Sequence, residues 1–175
     1  MTGIKLKSMT NVEINKQAKL SQHFTLGELT KTKTKIENVP NEAQVENLKR
    51  LCGWLEMLRS EYNRRYGNCP AEMTESTESS LREEPIIINS GYRSEAVNKA
   101  VGGVAGSNHL TGCAVDIHVL GKEQAIRYAC ILLDISDESQ EDFDELLIEQ
   151  SAKSLWIHFA VRPSGNRRRV RLMKG

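Results

Sequence analysis

The sequence lacks a long apolar run, and this absence argues against a membrane-spanning helix. No segment of the 175 residues approaches the roughly 20 consecutive apolar side chains that such a helix needs. Residues 1–20 carry lysines but no continuous apolar segment, so we expect no secretory signal peptide. We therefore expect that the protein is synthesised in the cytoplasm.

Two further signals are missing. The formal net charge is only +1, which gives no indication of the basic surface that nucleic-acid-binding proteins usually carry. The four cysteines are far apart and form no C-x-x-C pair, so we expect neither a disulfide framework nor a four-cysteine zinc site. We interpret all four cysteines as free thiols.

The composition is that of one folded domain. Hydrophobic residues make up 39% of the chain, enough to bury a core. We expect a polar leader at 1–22, the folded domain at 23–161 with an exposed loop at 67–84, and a basic tail at 162–175. The arginine run within that tail is interpreted as solvated, with attraction to an anionic polymer as the alternative.

Hydrophobic periodicity indicates a mixture of helices and strands. Apolar residues at spacings of three and four predict a helix over about 41–64 and another over 122–132, and Ser94 could cap a short helix over 95–101. Strands are predicted at 85–90, 113–120, 143–149 and 155–161, the last two as an antiparallel hairpin. Trp156 is expected in the core, with a position lining a binding cleft as the alternative. These elements predict an α+β fold, with a small antiparallel sheet and helices packed on one side of it.

One loop carries residues suited to hold a metal ion. A tight turn at Gly112 can bring His109 back beside Asp116 on the following strand. An imidazole nitrogen and a carboxylate oxygen are ordinary zinc ligands, and a catalytic zinc takes three protein ligands and leaves one position open. His158, on a much later strand, can supply the third ligand. By spacing alone, these residues fit a hydrogen-bonded structural cluster as well as a metal site.

A series of motifs runs along the chain. Its members are Ser90-Gly91-Tyr92-Arg93-Ser94, Asn98, Val101-Gly102-Gly103, Ser107-x-His109-x-x-Gly112-x-Ala114-x-Asp116 and Trp156-x-His158. The series resembles the zinc D-Ala-D-Ala carboxypeptidase family, which includes phage endolysins that cut cell-wall peptides (peptidase family M15, subfamily A). Phe24 to Leu29 resembles the Phe-Thr-x-x-Glu-Leu segment that begins the domain in one branch of that family. The resemblance covers residues 23–161 and implies the hedgehog/D-Ala-D-Ala-peptidase-like α+β fold.

The resemblance implies a zinc metallopeptidase that hydrolyses peptidoglycan stem peptides, at the D-Ala-D-Ala end or internally. It implies Zn²⁺ on His109, Asp116 and His158, and it places Arg93 and Ser107 in the substrate cleft. The Arg93 guanidinium can pair there with a peptide carboxylate or a developing oxyanion, so Arg93 is a catalytic candidate too. We expect a monomer that would act on the cell wall if released, as in a phage or prophage lysis context.

The general base is where this chain departs from the family pattern. Many members carry an acidic residue three positions before the last zinc histidine, and here that position is Leu155, which cannot accept a proton. We nominate Glu149, which ends the strand preceding His158, with Glu145 on the same strand face as the reserve. Both glutamates could instead face solvent. The alternative function is a non-catalytic cell-wall-binding or structural module that retains the peptidase fold.

Overall fold

The computed structural model describes residues 15–67 and 83–174. Most of the predicted leader and most of the predicted loop at 67–84 therefore lie outside the described residues, as does Cys69. The other three cysteines are free thiols, as predicted. In the described ranges, no helix has the length and apolarity to cross a membrane.

The described residues contain both helices and strands. The helices are α1 (Leu26–Leu29), α2 (Glu42–Tyr66), α3 (Glu95–Ala100), a 3₁₀ helix (Asn108–Thr111) and α4 (Lys122–Ser139). The strands are β1 (Ile88–Ser90), β2 (Ala114–His118), β3 (Glu145–Gln150), β4 (Leu155–Ala160) and β5 (Arg169–Lys174). The strands form one sheet in the order β1-β2-β4-β3-β5, which confirms the predicted α+β class.

The sheet is antiparallel except at one edge. β1 pairs with β2, β2 with β4 and β4 with β3, all antiparallel, so the predicted hairpin of β3 and β4 is confirmed. β5 pairs with β3 in parallel. Residues 169–174 of the predicted tail therefore form a strand that completes the sheet, although most of their side chains are exposed as expected.

The two faces of the sheet have different compositions because successive side chains on a strand point to opposite sides. One face is apolar, and its fully buried residues include Val115, Ile117, Ile157 and Phe159. Helices α2 and α4 pack against this face and against each other. The opposite face carries Asp116 and His158, together with four charged residues of β3 and β5, namely Glu145, Glu149, Arg169 and Arg171. The two long helices, α2 and α4, are thus on one side of the sheet and a polar surface lies on the other.

Local signals set most helix boundaries. Thr25 and Glu28 form the predicted capping box at α1, and Asn41 forms a second one with Gln44 at the start of α2. Helix α4 continues to Ser139, beyond the predicted end at 132, because Ile135 and Ser136 are also buried against the core. The strand predicted at 85–90 is shorter, since only Ile88–Ser90 has regular strand geometry.

The first turns of α2 hold the loop that carries His109. The side-chain amide of Gln44 donates to the Leu110 carbonyl at 2.9 Å, and that of Asn47 donates to the Thr111 carbonyl at 2.9 Å. Gly112 ends the 3₁₀ helix with a φ of 72°, a left-handed conformation that glycine adopts without a steric penalty. A side chain at Gly112 would also lie 2.6 Å from the Gln44 backbone oxygen. This packing fixes the turn between His109 and β2.

Candidate metal centre and active-site cleft

Three side chains from three elements converge on the polar face of the sheet. Asp116 and His158 lie directly opposite each other on β2 and β4, and His109 approaches from the 3₁₀ helix. Oδ1 of Asp116 lies 3.2 Å from Nε2 of His109 and 3.1 Å from Nδ1 of His158. All three residues are buried, although they are separated by up to 49 positions in the chain. The convergence predicted from the sequence is therefore present.

The backbone fixes the orientation of His109. Its Nδ1 lies 2.6 Å from the carbonyl oxygen of Gly91, so the N–H at Nδ1 donates to that carbonyl and directs Nε2 at Asp116. The hydroxyl of Ser107 accepts from the His109 backbone N–H at 3.3 Å and caps the 3₁₀ helix. These contacts fix the ring so that Nε2 is the nitrogen that would bind a metal ion beside Asp116.

Arg93 is the partner of the second Asp116 oxygen. Its guanidinium donates through Nη2 to Oδ2 of Asp116, and Nε donates to the Ser90 hydroxyl at 2.8 Å. Burial would raise the pKa of Asp116, but hydrogen bonds from His109 and His158 outweigh it and hold the pKa well below the usual aspartate range. Asp116 is therefore an ionised carboxylate whose two oxygens face different partners.

Glu145 supports His158 from the other side of the ring. Oε2 of Glu145 lies 3.4 Å from Nε2 of His158, while Nδ1 faces Asp116. Burial would lower the pKa of His158, but the hydrogen bonds to Asp116 and Glu145 raise it to about 9. A carboxylate on the outer nitrogen of a histidine ligand is a common device for orienting the ring toward a metal ion.

The three side chains fit a small metal ion. Their ligand atoms all lie within 4.8 Å of one another. Two donors bound to one tetrahedral zinc ion at about 2.0 Å lie about 3.3 Å apart, and the two separations at Asp116 Oδ1 are 3.2 and 3.1 Å. The donor set of two imidazoles and one carboxylate suits a divalent ion that keeps a position open for water or substrate.

An open cleft with a volume of about 750 Å³ lies over this centre. Its lining includes every site residue predicted from the sequence, namely Arg93, Ser107, His109, Asp116, Glu145, Glu149 and His158. Trp156 lines the cleft as well and is only partly buried, so the expectation that it lies in the core is wrong. Residues between α3 and the 3₁₀ helix, including Val101, Gly103 and Val104, also line the cleft.

The two glutamates of β3 have opposite environments. Burial raises the pKa of Glu149, and the charge of Asp116 raises it further. The hydrogen bond to His158 lowers the pKa of Glu145, and Arg167 adds to that effect. Glu145 also accepts from Arg169 at 3.1 Å. The Glu145 carboxylate is thus already engaged in ion pairs, whereas the environment of Glu149 favours the uptake of a proton.

The arginines of the C-terminal segment are cleft residues that sequence reasoning missed. The Arg167 side chain binds the fully buried Asp144 through two hydrogen bonds, at 2.8 and 2.6 Å. Arg167, Arg169 and Arg171 all line the cleft. Their alternate spacing in the sequence is the signal that could have indicated a strand with one charged face.

The comparisons agree with this geometry. A family model described as Peptidase M15 matches residues 70–158, just over half of the chain, and the chain therefore belongs to the peptidase M15 family. The matched span contains Arg93 and all three candidate ligands. A comparison with curated proteins finds no significant match. The family named from the motifs is confirmed, whereas its subfamily and the carboxypeptidase or endolysin type stay predictions.

Proposed function

We propose that this protein is a zinc-dependent metallopeptidase that hydrolyses peptidoglycan stem peptides. The observation that carries the proposal is a buried His-Asp-His cluster on the floor of an open cleft, in a chain of the peptidase M15 family. The ligands would be Nε2 of His109, a carboxylate oxygen of Asp116 and Nδ1 of His158. When bound there, zinc would act as a Lewis acid that polarises a carbonyl and acidifies water.

The residues of the chain supply the proton transfers. Glu149 accepts the proton of the attacking water and returns it to the leaving amine, since its raised pKa suits both steps. Glu145 does not take this role, because its carboxylate is held by His158 and by arginines. Glu145 instead keeps Nδ1 of His158 directed at the centre of the cluster.

Arg93 and Ser107 bind the substrate in this proposal. The guanidinium of Arg93 uses Nε and one Nη2 hydrogen on Ser90 and Asp116, so further N–H groups remain for a peptide carbonyl or carboxylate. The hydroxyl of Ser107 lines the cleft and can donate to the peptide while its oxygen caps the 3₁₀ helix.

Digestion of defined muropeptides tests the function. The zinc-loaded protein is incubated with them, with and without a chelator, and the products are analysed by mass spectrometry. We expect zinc-dependent loss of a terminal D-Ala or internal cleavage of the peptide, which distinguishes the two types of activity. His109→Ala should lose bound zinc and activity together, as measured by metal analysis of the purified protein.

The rival function predicts a different result. A wall-binding module would retain purified cell wall and release no peptide, with or without zinc. A protein that carries almost no zinc after incubation with the metal would contradict the metallopeptidase proposal at its first step.

A further inference from the structure

The three arginines on the edge of the cleft differ in what they contact. Arg167 is held by Asp144 and Glu145, and Arg169 is held by Glu145 at 3.1 Å. Arg171 is exposed on β5 and lines the cleft, yet it makes no ion pair with any carboxylate in residues 15–67 or 83–174. The charges of Arg167 and Arg169 are therefore satisfied within the fold, whereas that of Arg171 is open to the cleft.

The sheet register gives the place of Arg171 relative to the metal centre. Leu147 of β3 lies opposite His158 of β4 on one side and opposite Arg171 of β5 on the other. The three residues form one row across the same face of the sheet. Since neighbouring strands are about 4.8 Å apart, the Arg171 backbone lies about 10 Å from that of His158. An extended peptide covers this distance with about three residues.

The row between these two residues is apolar. Leu147 is largely buried and offers no polar group, and the charged side chains of Glu145 and Glu149 lie in the rows on either side of it. At one end are the candidate metal ligands, and at the other end is a guanidinium. A guanidinium binds a carboxylate with two parallel hydrogen bonds, which gives both attraction and orientation.

We propose that Arg171 is a specificity-determining residue that binds a carboxylate of the peptide substrate, about two to four residues from the bond that is cut. The inference rests on the proposed peptidase function and narrows its substrate class to acidic peptides. A phosphate polymer of the cell wall fits this place less well, because the neighbouring Arg167 and Arg169, which also line the cleft, are already paired with carboxylates.

The test compares peptides that differ by one group. Synthetic four- and five-residue stem peptides are prepared with each carboxylate replaced in turn by a carboxamide, and kcat/KM is measured with the zinc-loaded full chain. We expect the wild type to prefer the carboxylate form at one position by about tenfold, the effect of one charge-assisted pair at an exposed site. Arg171→Gln should bring the ratio of the two kcat/KM values to about one. Arg171→Lys should retain part of the preference, because lysine keeps the charge but cannot donate two parallel hydrogen bonds to a carboxylate.

Arg50 offers a matched control. It is exposed on α2, donates to the Asn47 side chain at 2.8 Å and does not line the cleft, so Arg50→Gln removes the same charge elsewhere. This variant should keep the wild-type preference. The proposal is overturned if Arg171→Gln keeps the carboxylate preference, or if it lowers kcat/KM equally for both peptides of a pair. It is also overturned if the only effect of the substitution is weaker binding of inorganic polyphosphate.

A separate readout distinguishes failure of the inference from failure of the proposed function. If the wild type hydrolyses none of the peptides, the proposed function fails, and the same peptide pairs are compared by isothermal titration calorimetry. A carboxylate preference in Kd that disappears in Arg171→Gln still supports the binding role. Equal Kd values for the two forms in the wild type overturn it.

Discussion

Replacement of Glu149 by glutamine removes the proton acceptor from the cleft and leaves a side chain of nearly the same shape. A positioned general base contributes about 10²- to 10⁴-fold to the rate, so we expect kcat to fall by a factor in that range. The corresponding increase in the activation barrier is about 2.7 to 5.5 kcal/mol. Zinc content should stay at the wild-type level, since Glu149 is not among the candidate ligands.

Glu149→Gln should also change the stability of the metal-free protein. The folded state raises the pKa of Glu149, so the ionised carboxylate is disfavoured in the fold and opposes folding of the metal-free protein above its unfolded pKa. A neutral glutamine removes this effect. We therefore expect metal-free Glu149→Gln to be at least as stable as the wild type at neutral pH, as measured by denaturant unfolding. A loss of activity then cannot be attributed to a loss of fold.

Glu145→Gln is the matched control on the same face of β3. The folded state lowers the pKa of Glu145, so its charge contributes stability that is present above the unfolded pKa and is lost as the pH falls. Neutralising it should destabilise the fold by about 1–3 kcal/mol and weaken zinc binding by about 10- to 100-fold through His158. If Glu149→Gln stayed fully active, or if Glu145→Gln lost turnover with normal zinc and stability, our assignment of the two roles would be wrong.

Two further predictions concern metal uptake and the loop that carries His109. Because the metal-free fold raises the pKa of His158 to about 9, each zinc ion should displace a proton below that pH, and the apparent affinity should rise with pH by up to about tenfold per unit before levelling off. Calorimetry in buffers of different ionisation enthalpy counts the released protons, and an affinity independent of pH would contradict the expectation. Gly112→Ala should lower the free energy of unfolding by at least about 1–2 kcal/mol because of the left-handed backbone, and should also reduce zinc content by displacing His109. Gly53→Ala is the control, because Gly53 lies at an exposed helical position with no atom within 4 Å of an added side chain. It should stabilise the fold by about 1 kcal/mol. Equal effects of the two substitutions on the free energy of unfolding would contradict this account of the turn.

The sequence indicates those parts of the fold that depend on short-range patterns. The helix predicted at 41–64 forms over Glu42–Tyr66, because its apolar spacing and the Asn41 cap both lie within a few residues. The hairpin of β3 and β4 follows in the same way from two apolar runs joined by a short polar turn. The candidate ligands could be named because their motifs keep a recognisable spacing.

The parts that could not be predicted depend on contacts between distant residues. The arginine run reads as solvated in isolation, and its attachment depends on Asp144 and Glu145, more than 20 positions earlier. The arginine contacts also give the two glutamates of β3 different environments, although the two-residue repeat of the strand places both on the same face. The parallel pairing of β5 places Arg169 beside Glu145, and together with His158 it engages this carboxylate, which leaves Glu149 as the candidate base.

The alternation of the sheet faces has a consequence for how this protein can tolerate changes in length. Asp116 and His158 occupy alternate positions among residues such as Ile117 and Phe159 that fill the core. Inserting or deleting one residue within β4 would exchange the two sets, burying the imidazole among apolar side chains and exposing an aromatic ring in the cleft. The turn at 151–154 lies outside the strands and can absorb the same change. Length variation among related chains should therefore occur in that turn and not in β4.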